Sequence, residues 1–449
     1  MTLDIEHCGA FSKLQISSNV DLLDCHAANR QRYPFLLESN GVGQLNNGFD
    51  ILFAFPGEKI ESFNLKNNDF FSKFDESFNK HKNLSPSVDL PFTGGWFVFL
   101  SYELVGAIEP KLSGLIRDKN LPIASAVRIP IAIIKNHKDS TCWIVCESGE
   151  EALIDNVLAD ISKLNTHQPK KPMVMLEEDA PDVFINGVKR IKSYLVEGDT
   201  LQVNLSRQWI GDIAQGIDYL DVYSSLRQYN PSPFAGLACY NDSVICSSSP
   251  ERLINCIGNT VQMRPIAGTR PRDDDDAIDK KIAKELLLNS KESAEHIMLI
   301  DLIRNDLGRI CETGTVKVDE KMTLESYAAV HHIVSNVSGK LSANKTPTDV
   351  IKAVFPGGTI TGCPKVRCME IINELEDAPR GAYTGSMGYI NRNGDLDFNI
   401  LIRTFTIHDE QLTLRTGAGI VADSIAVNEL EETRHKAKAL LDALDFHEI

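Results

Sequence analysis

The amino-acid sequence predicts a mixed α+β protein. Two observations lead there: short apolar runs that alternate as half-buried strands do, and longer segments whose apolar residues recur at helical spacing. Residues 50–55 (DILFAF), 132–134 (AII) and 142–145 (CWIV) have the first pattern. Residues 150–164 (EEALIDNVLADISKL) have the second. Residues 165–182 hold three prolines and no clear period, the mark of a linker. It divides the chain into regions 1–165 and 183–446, which are expected to pack into one body. Residues 184–197 read as an amphipathic helix closed by Gly198, and 201–205 (LQVNL) alternate as a strand. Residues 277–311 are helical in pattern. The Asp273–Asp276 run before them suits the positive end of a helix dipole and is the composition of a solvated loop. A last helix is expected over 428–444.

Composition narrows the function. Asp and Glu total 62 against 46 Lys and Arg, a formal charge of −16. Such a surface repels nucleic acid and anionic membrane, although a local cluster can have the opposite sign. No apolar stretch approaches the ~18 residues of a membrane span, and the N-terminus has no signal-peptide core. The ten cysteines include no C-x-x-C pair, and several lie in apolar runs. They read as buried, reduced thiols, so the chain is expected to be cytoplasmic.

Four glutamates give the first chemical signal. Glu292 and Glu295 lie three residues apart within KESAEH, and Glu429 and Glu432 repeat that spacing within ELEETR. Each pair shares one helix face. Facing each other, the pairs would form a carboxylate cage suited to a hard divalent cation such as Mg2+; singly, each is also the pattern of a solvated face.

Other segments could grip anions or move protons. FPGGTITGCPK (355–365) places glycines before a helix start, where backbone N–H groups can meet an anion, or simply make a turn. TGAG (416–419) ends a strand-like run and offers close backbone approach or a bend. Arg403 closes the apolar run ILIRT; buried, it needs a carboxylate, from a ligand or from the protein. Glu251, in SPERL after a strand pattern, suits a general acid as well as a helix start. In AAVHHIVSNV, alternation sends His331 and His332 to opposite faces, so at most one enters a site.

Eight blocks in one order give a resemblance. They are GDTLQVNLS (198–206), SPERL (249–253), RPIAGTR (264–270), AEHIMLIDLIRNDLGR (294–309), FPGGTITGCPKVRCMEII (355–372), GAYTGSMGYI (381–390), ILIRT (400–404) and GAGIVADS (417–424). The chain from about 184 to 445 resembles the chorismate-utilising enzymes: anthranilate, aminodeoxychorismate, isochorismate and salicylate synthases. Residues 34–39 (PFLLES) and 94–103 (GGWFVFLSYE) resemble the N-terminal region of the amine-adding members. The resemblance implies two antiparallel-rich sheets facing each other, helices outside and the site between. It implies chorismate as substrate and Mg2+ held directly by Glu295 and Glu432, with Glu292 and Glu429 reaching it through water. By the same likeness Glu251 assists loss of the 4-hydroxyl and His332 meets the ring region. Tyr383 and Arg403 hold the enolpyruvyl carboxylate, and Thr359, Gly417 and Gly419 hold substrate.

Gln202 stands where the water-adding members have a lysine, and an amide is no base at neutral pH, so ammonia is the expected nucleophile. FPGGTITG resembles the type that makes 4-amino-4-deoxychorismate on the route to p-aminobenzoate and folate. That implies a glutaminase subunit, component II, as ammonia source. Ala267 stands where many such enzymes carry a lysine nucleophile, and PIAGT also occurs in the anthranilate-forming type. Ser39, in LLES, resembles part of a tryptophan-binding element. The alternatives are thus an anthranilate-forming component I and a non-catalytic tryptophan-binding regulator.

Overall fold

The structure is a computed structural model that describes residues 4–39, 48–66, 68–85, 88–273, 275–326 and 330–448. Among them, one sheet has fourteen strands and a second has ten. Pairing is antiparallel nearly throughout; Met173–Glu178 beside Asp445–Glu448 is a parallel pair.

Both sequence regions build both sheets. Phe35–Glu38 pairs with Phe234–Tyr240 in the larger sheet, and Gly95–Leu100 with Ser386–Asn391 in the smaller. The two seams bury a shared core in which Phe35, Phe53, Phe97 and Phe99 pack with Tyr240, Tyr389 and Leu401. The Phe35 and Phe97 rings stack with centroids 4.1 Å apart. Cutting the chain near residue 165 would therefore open two sheets along interior strands.

The local rules hold for the helices. Pro181–Glu197 starts with proline and stops at Gly198, whose φ of 81° suits glycine. Ala152–Ile161 and Ala426–Leu441 lie where apolar periodicity predicts them. Two expectations are corrected. The pattern over 277–311 is two helices, Asp276–Leu288 and Ser290–Gly308, broken at Asn289. The expected linker carries the strand Met173–Glu178, whose buried residues alternate with exposed ones. Its apolar signal is short, and its partner Gln202–Ile213 lies far along the chain, so nothing local announces it. The Asp run is a helix start: Asp275 caps Asp276–Leu288 by accepting from the Ala277 and Ile278 N–H groups.

Candidate active site

The strand Gln202–Ile213 pairs with Gln411–Ile420 in unbroken register, so Gly419 lies opposite Asn204 and Gly417 opposite Ser206. Of the two readings of TGAG, close backbone approach holds and the bend does not. The glycines serve close approach: a Cβ on Gly419 would run into the Gln202 amide, and one on Gly417 would lie 2.8 Å from both Asn204 Oδ1 and the Tyr383 hydroxyl.

The glycine segment 355–365 docks on the same strand. Gly362–Cys363 pairs with Val203 and Gln202. Gly362 has φ of 131° and no room for a Cβ beside the Gln202 carbonyl. This pairing holds the short turn Gly358–Ile360, and Thr359 on it donates a hydrogen bond to Glu251 Oε1 at 2.8 Å. Glu251 is buried. Burial pushes its carboxyl up to about 7, against the opposing pull of the Thr359 hydroxyl and the Lys436 ammonium. A carboxyl poised there can give up a proton near neutral pH.

The first glutamate pair sits beside this strand. Gln202 Nε2 donates to Glu295 Oε1 at 2.9 Å, and the two residues line one cavity of about 450 Å3 with Met298, Val421 and Asp423. Glu292 pairs with Arg270 at 3.2 Å. On Ala426–Leu441, Glu432 pairs with Lys436 at 2.7 Å, and Lys436 Nζ donates to the Gly417 carbonyl at 2.9 Å. The second pair is thereby tied to the glycines of the strand opposite Gln202. Glu429 lies one turn earlier, half-buried. Among the described residues no three His, Cys, Asp or Glu side chains converge as a metal site. Like charges repel, and Arg270, Gln202 and Lys436 each draw one carboxylate toward themselves. Carboxylate oxygens are hard donors of the kind magnesium takes, and Glu295 presents its own beside an open cavity.

Alternation separates the histidines as expected. His331 accepts or donates at both ring nitrogens, to Ser326 at 2.8 Å and Asp279 at 2.9 Å, and is structural. His332 points the other way; burial, then the nearby Arg403 charge, holds its imidazole down at about 4, so it is neutral. Arg403 has φ of 51° and no ion pair with a carboxylate among the described residues. The chain beside it is fixed by the Leu401 carbonyl and N–H, which bond Thr384 and Gly385. That clasp places the buried Tyr383 on the neighbouring turn. A half-buried guanidinium with no carboxylate partner among the described residues is an arrangement for an anionic ligand.

One expected position lies apart from this cluster. Ser39 lines another cavity between the sheets, with Leu37, Glu38, Phe234, Met387 and Tyr389, and its N–H donates to Asp50 Oδ1 at 2.9 Å. Ala267 is on the strand Ile266–Pro271, opposite Ile333, and its side chain lies outside the described ones. Sequence reasoning passed over Lys436 and Asn204. Lys436 reads as an ordinary partner of Glu432 four residues earlier; Asn204 shares a strand face with Gln202, and alternation alone could have flagged it.

Among the described residues no helix is long and apolar enough to cross a membrane. Residues 33–442 match the family of chorismate binding enzymes. An anthranilate synthase component I-like protein of Synechocystis sp. is 44% identical over 377 residues, 82% of this chain and 76% of that one. Aminodeoxychorismate synthase component 1 of Bacillus subtilis is 36% identical over 422 residues, 91% of this chain and 87% of that one. The crystal structure of anthranilate synthase component I from Streptococcus pneumoniae superposes with a TM-score of 0.78 at 30% identity, over 87% of this chain and 92% of that one. The match over nearly the whole length, together with the strand, glycine and carboxylate geometry, makes this chain a member of the chorismate binding enzymes.

Proposed function

We propose that the chain is the chorismate-aminating component of an aminodeoxychorismate synthase, forming 4-amino-4-deoxychorismate from chorismate and ammonia. The observation that carries this reading is Gln202. Its amide nitrogen is bound to Glu295, and the position supplies no base that could activate water. Ammonia needs none, because it is the stronger nucleophile and its adduct is a stable ammonium, whereas attack by water gives an oxonium that must lose a proton.

Glu295 and Glu432 would hold Mg2+ directly, and Glu292 and Glu429 through water. The ion, when bound, neutralises a substrate carboxylate that an acidic protein would otherwise repel. Arg403 and Tyr383 take the enolpyruvyl carboxylate, and the neutral His332 borders the ring. Thr359 and the backbone at Gly417 and Gly419 complete the cradle. Glu251 gives its proton to the departing 4-hydroxyl, which leaves as water while ammonia adds at C2. With alanine at 267, no protein amine forms a C2 adduct. A second ammonia then adds at C4 as the C2 ammonium leaves as neutral ammonia, and the new C4 ammonium returns one proton to the Glu251 carboxylate. A glutaminase subunit supplies the ammonia, and the cavity at Ser39 takes tryptophan.

A second reading keeps a specific observation behind it: Ala267 within PIAGT also fits formation of anthranilate, with loss of pyruvate. Incubation with chorismate, Mg2+ and ammonium separates the two. The proposal expects 4-amino-4-deoxychorismate and retained enolpyruvyl; a fluorescent anthranilate product with released pyruvate would overturn it.

A further inference from the structure

We propose that Asn204 is a second holder of the nucleophile beside Gln202. The side-chain carbonyl oxygens of the two residues accept N–H groups of the incoming ammonia and turn its lone pair toward the bound ring. This rests on the amination reading above.

Gln202 and Asn204 are two residues apart on one strand, so their side chains share a face. Gln202 Oε1 and Asn204 Oδ1 are both buried, and neither has a hydrogen-bond partner among the described residues. A carboxylate only accepts, so the bond from Gln202 Nε2 to Glu295 fixes the amide with its oxygen turned elsewhere. Asn204 is held just as firmly through its backbone. Its N–H donates to the Thr361 carbonyl at 2.9 Å, and its own carbonyl accepts from Arg380 Nη2 at 2.8 Å. The space in front of Asn204 is kept by a glycine: a Cβ on Gly417 would press on Asn204 Oδ1, while one on Gly419 would press on Gln202 Nε2, the nitrogen bound to Glu295. Asn204 Oδ1 and the Tyr383 hydroxyl border that same space, so it adjoins the group assigned to the substrate.

Buried acceptors left without a donor are costly and are normally filled. The missing ligand must therefore bring donors. Ammonia brings three N–H groups and one lone pair; with two N–H groups accepted by the strand, the lone pair is directed away from it. As nitrogen bonds to carbon it gains positive charge, its N–H groups become better donors, and both hydrogen bonds strengthen in the transition state. Water could also donate twice, but its attack requires proton removal, and neither amide is a base.

The test uses the full chain with chorismate, Mg2+ and ammonium chloride as nitrogen source, at fixed pH. Asn204→Ala is expected to raise KM for ammonia about five- to tenfold, the effect of one lost hydrogen bond, and to leave KM for chorismate within about twofold. Asn204→Val, a strong strand former, replaces it should the alanine variant not fold. An unchanged KM for ammonia, or equal rises in both KM values, overturns the proposal. Failure of both variants to fold assigns Asn204 to the fold and overturns it too. If the wild-type chain makes no aminated product, the amination reading itself fails, and this inference falls with it.

Discussion

Two charged clusters lie along one face of the strand Gln202–Ile213, and they differ in how their charge is closed. Around Ser206, Glu376 receives Arg380 at 2.7 Å and Arg415 at 3.1 Å, and the Ser206 N–H and hydroxyl also donate to it. Arg380 Nη1 donates to the Ile360 carbonyl, and Nη2, besides Glu376, donates to the Asn204 carbonyl. Burial works against the Glu376 charge, but the two guanidinium groups overcome it and hold its carboxyl below the usual range. A few ångströms along, the other cluster stays open. Among the described residues Arg403 has no carboxylate partner, Gln202 Oε1 and Asn204 Oδ1 have no hydrogen-bond partner, and Glu251 is buried with the Thr359 hydroxyl and the Lys436 ammonium favouring its charge. The difference separates architecture from function. A fold satisfies the charges it needs for itself and leaves open those it holds for a ligand.

Breaking each cluster should give opposite signatures. Glu295→Gln should cut turnover by about a thousandfold, the effect of losing the carboxylate proposed above to hold Mg2+ directly. It should leave the thermal midpoint nearly unchanged; steady-state rates and a melting curve check both. Glu376→Gln should do the reverse and destabilise by about 3–5 kcal/mol, because two buried guanidinium groups lose their counter-charge. Denaturant unfolding measures this, and a variant as stable as the parent would erase the contrast. Arg403→Gln should raise KM for chorismate about 30- to 100-fold, the value of a charged, two-pronged carboxylate contact at about 2–3 kcal/mol. It should not lower stability, since no protein carboxylate is stranded.

The smallest effect sharpens the role of Glu251. It must be protonated to act as an acid, so activity should fall as pH rises through about 7. The Thr359 hydroxyl favours the charged carboxylate and lowers that value. Thr359→Val should therefore shift the alkaline limb to higher pH, with a cost near 1 kcal/mol in kcat/KM. Stability follows the same sign. The folded value lies above the ordinary carboxylate range, so the unfolded chain releases this proton first. The Glu251 contribution is fully present below about 4.5 and is lost as pH rises through about 7.

Sequence patterns reached the helices, the α+β class and the ordering of the motif blocks, because periods of 2 and 3.6 are local properties. They also separated His331 from His332 by strand alternation. They missed what depends on lateral pairing between distant segments. Met173–Glu178 is a strand only because Gln202–Ile213 and Asp445–Glu448 flank it. Gly417 and Gly419 read equally as a bend or as close backbone approach until Asn204, Gln202 and Tyr383 are seen against them. The glutamate pairs were legible as faces of helices, but the pull of Arg270 and Lys436 on their carboxylates was not.

The most direct test is a crystal structure of the chain grown with chorismate and MgCl2. The account predicts an ion with Glu295 and Glu432 oxygens at about 2.0–2.1 Å, and the enolpyruvyl carboxylate on Arg403. An ion or ring bound elsewhere, with Arg403 still unpaired, would contradict it.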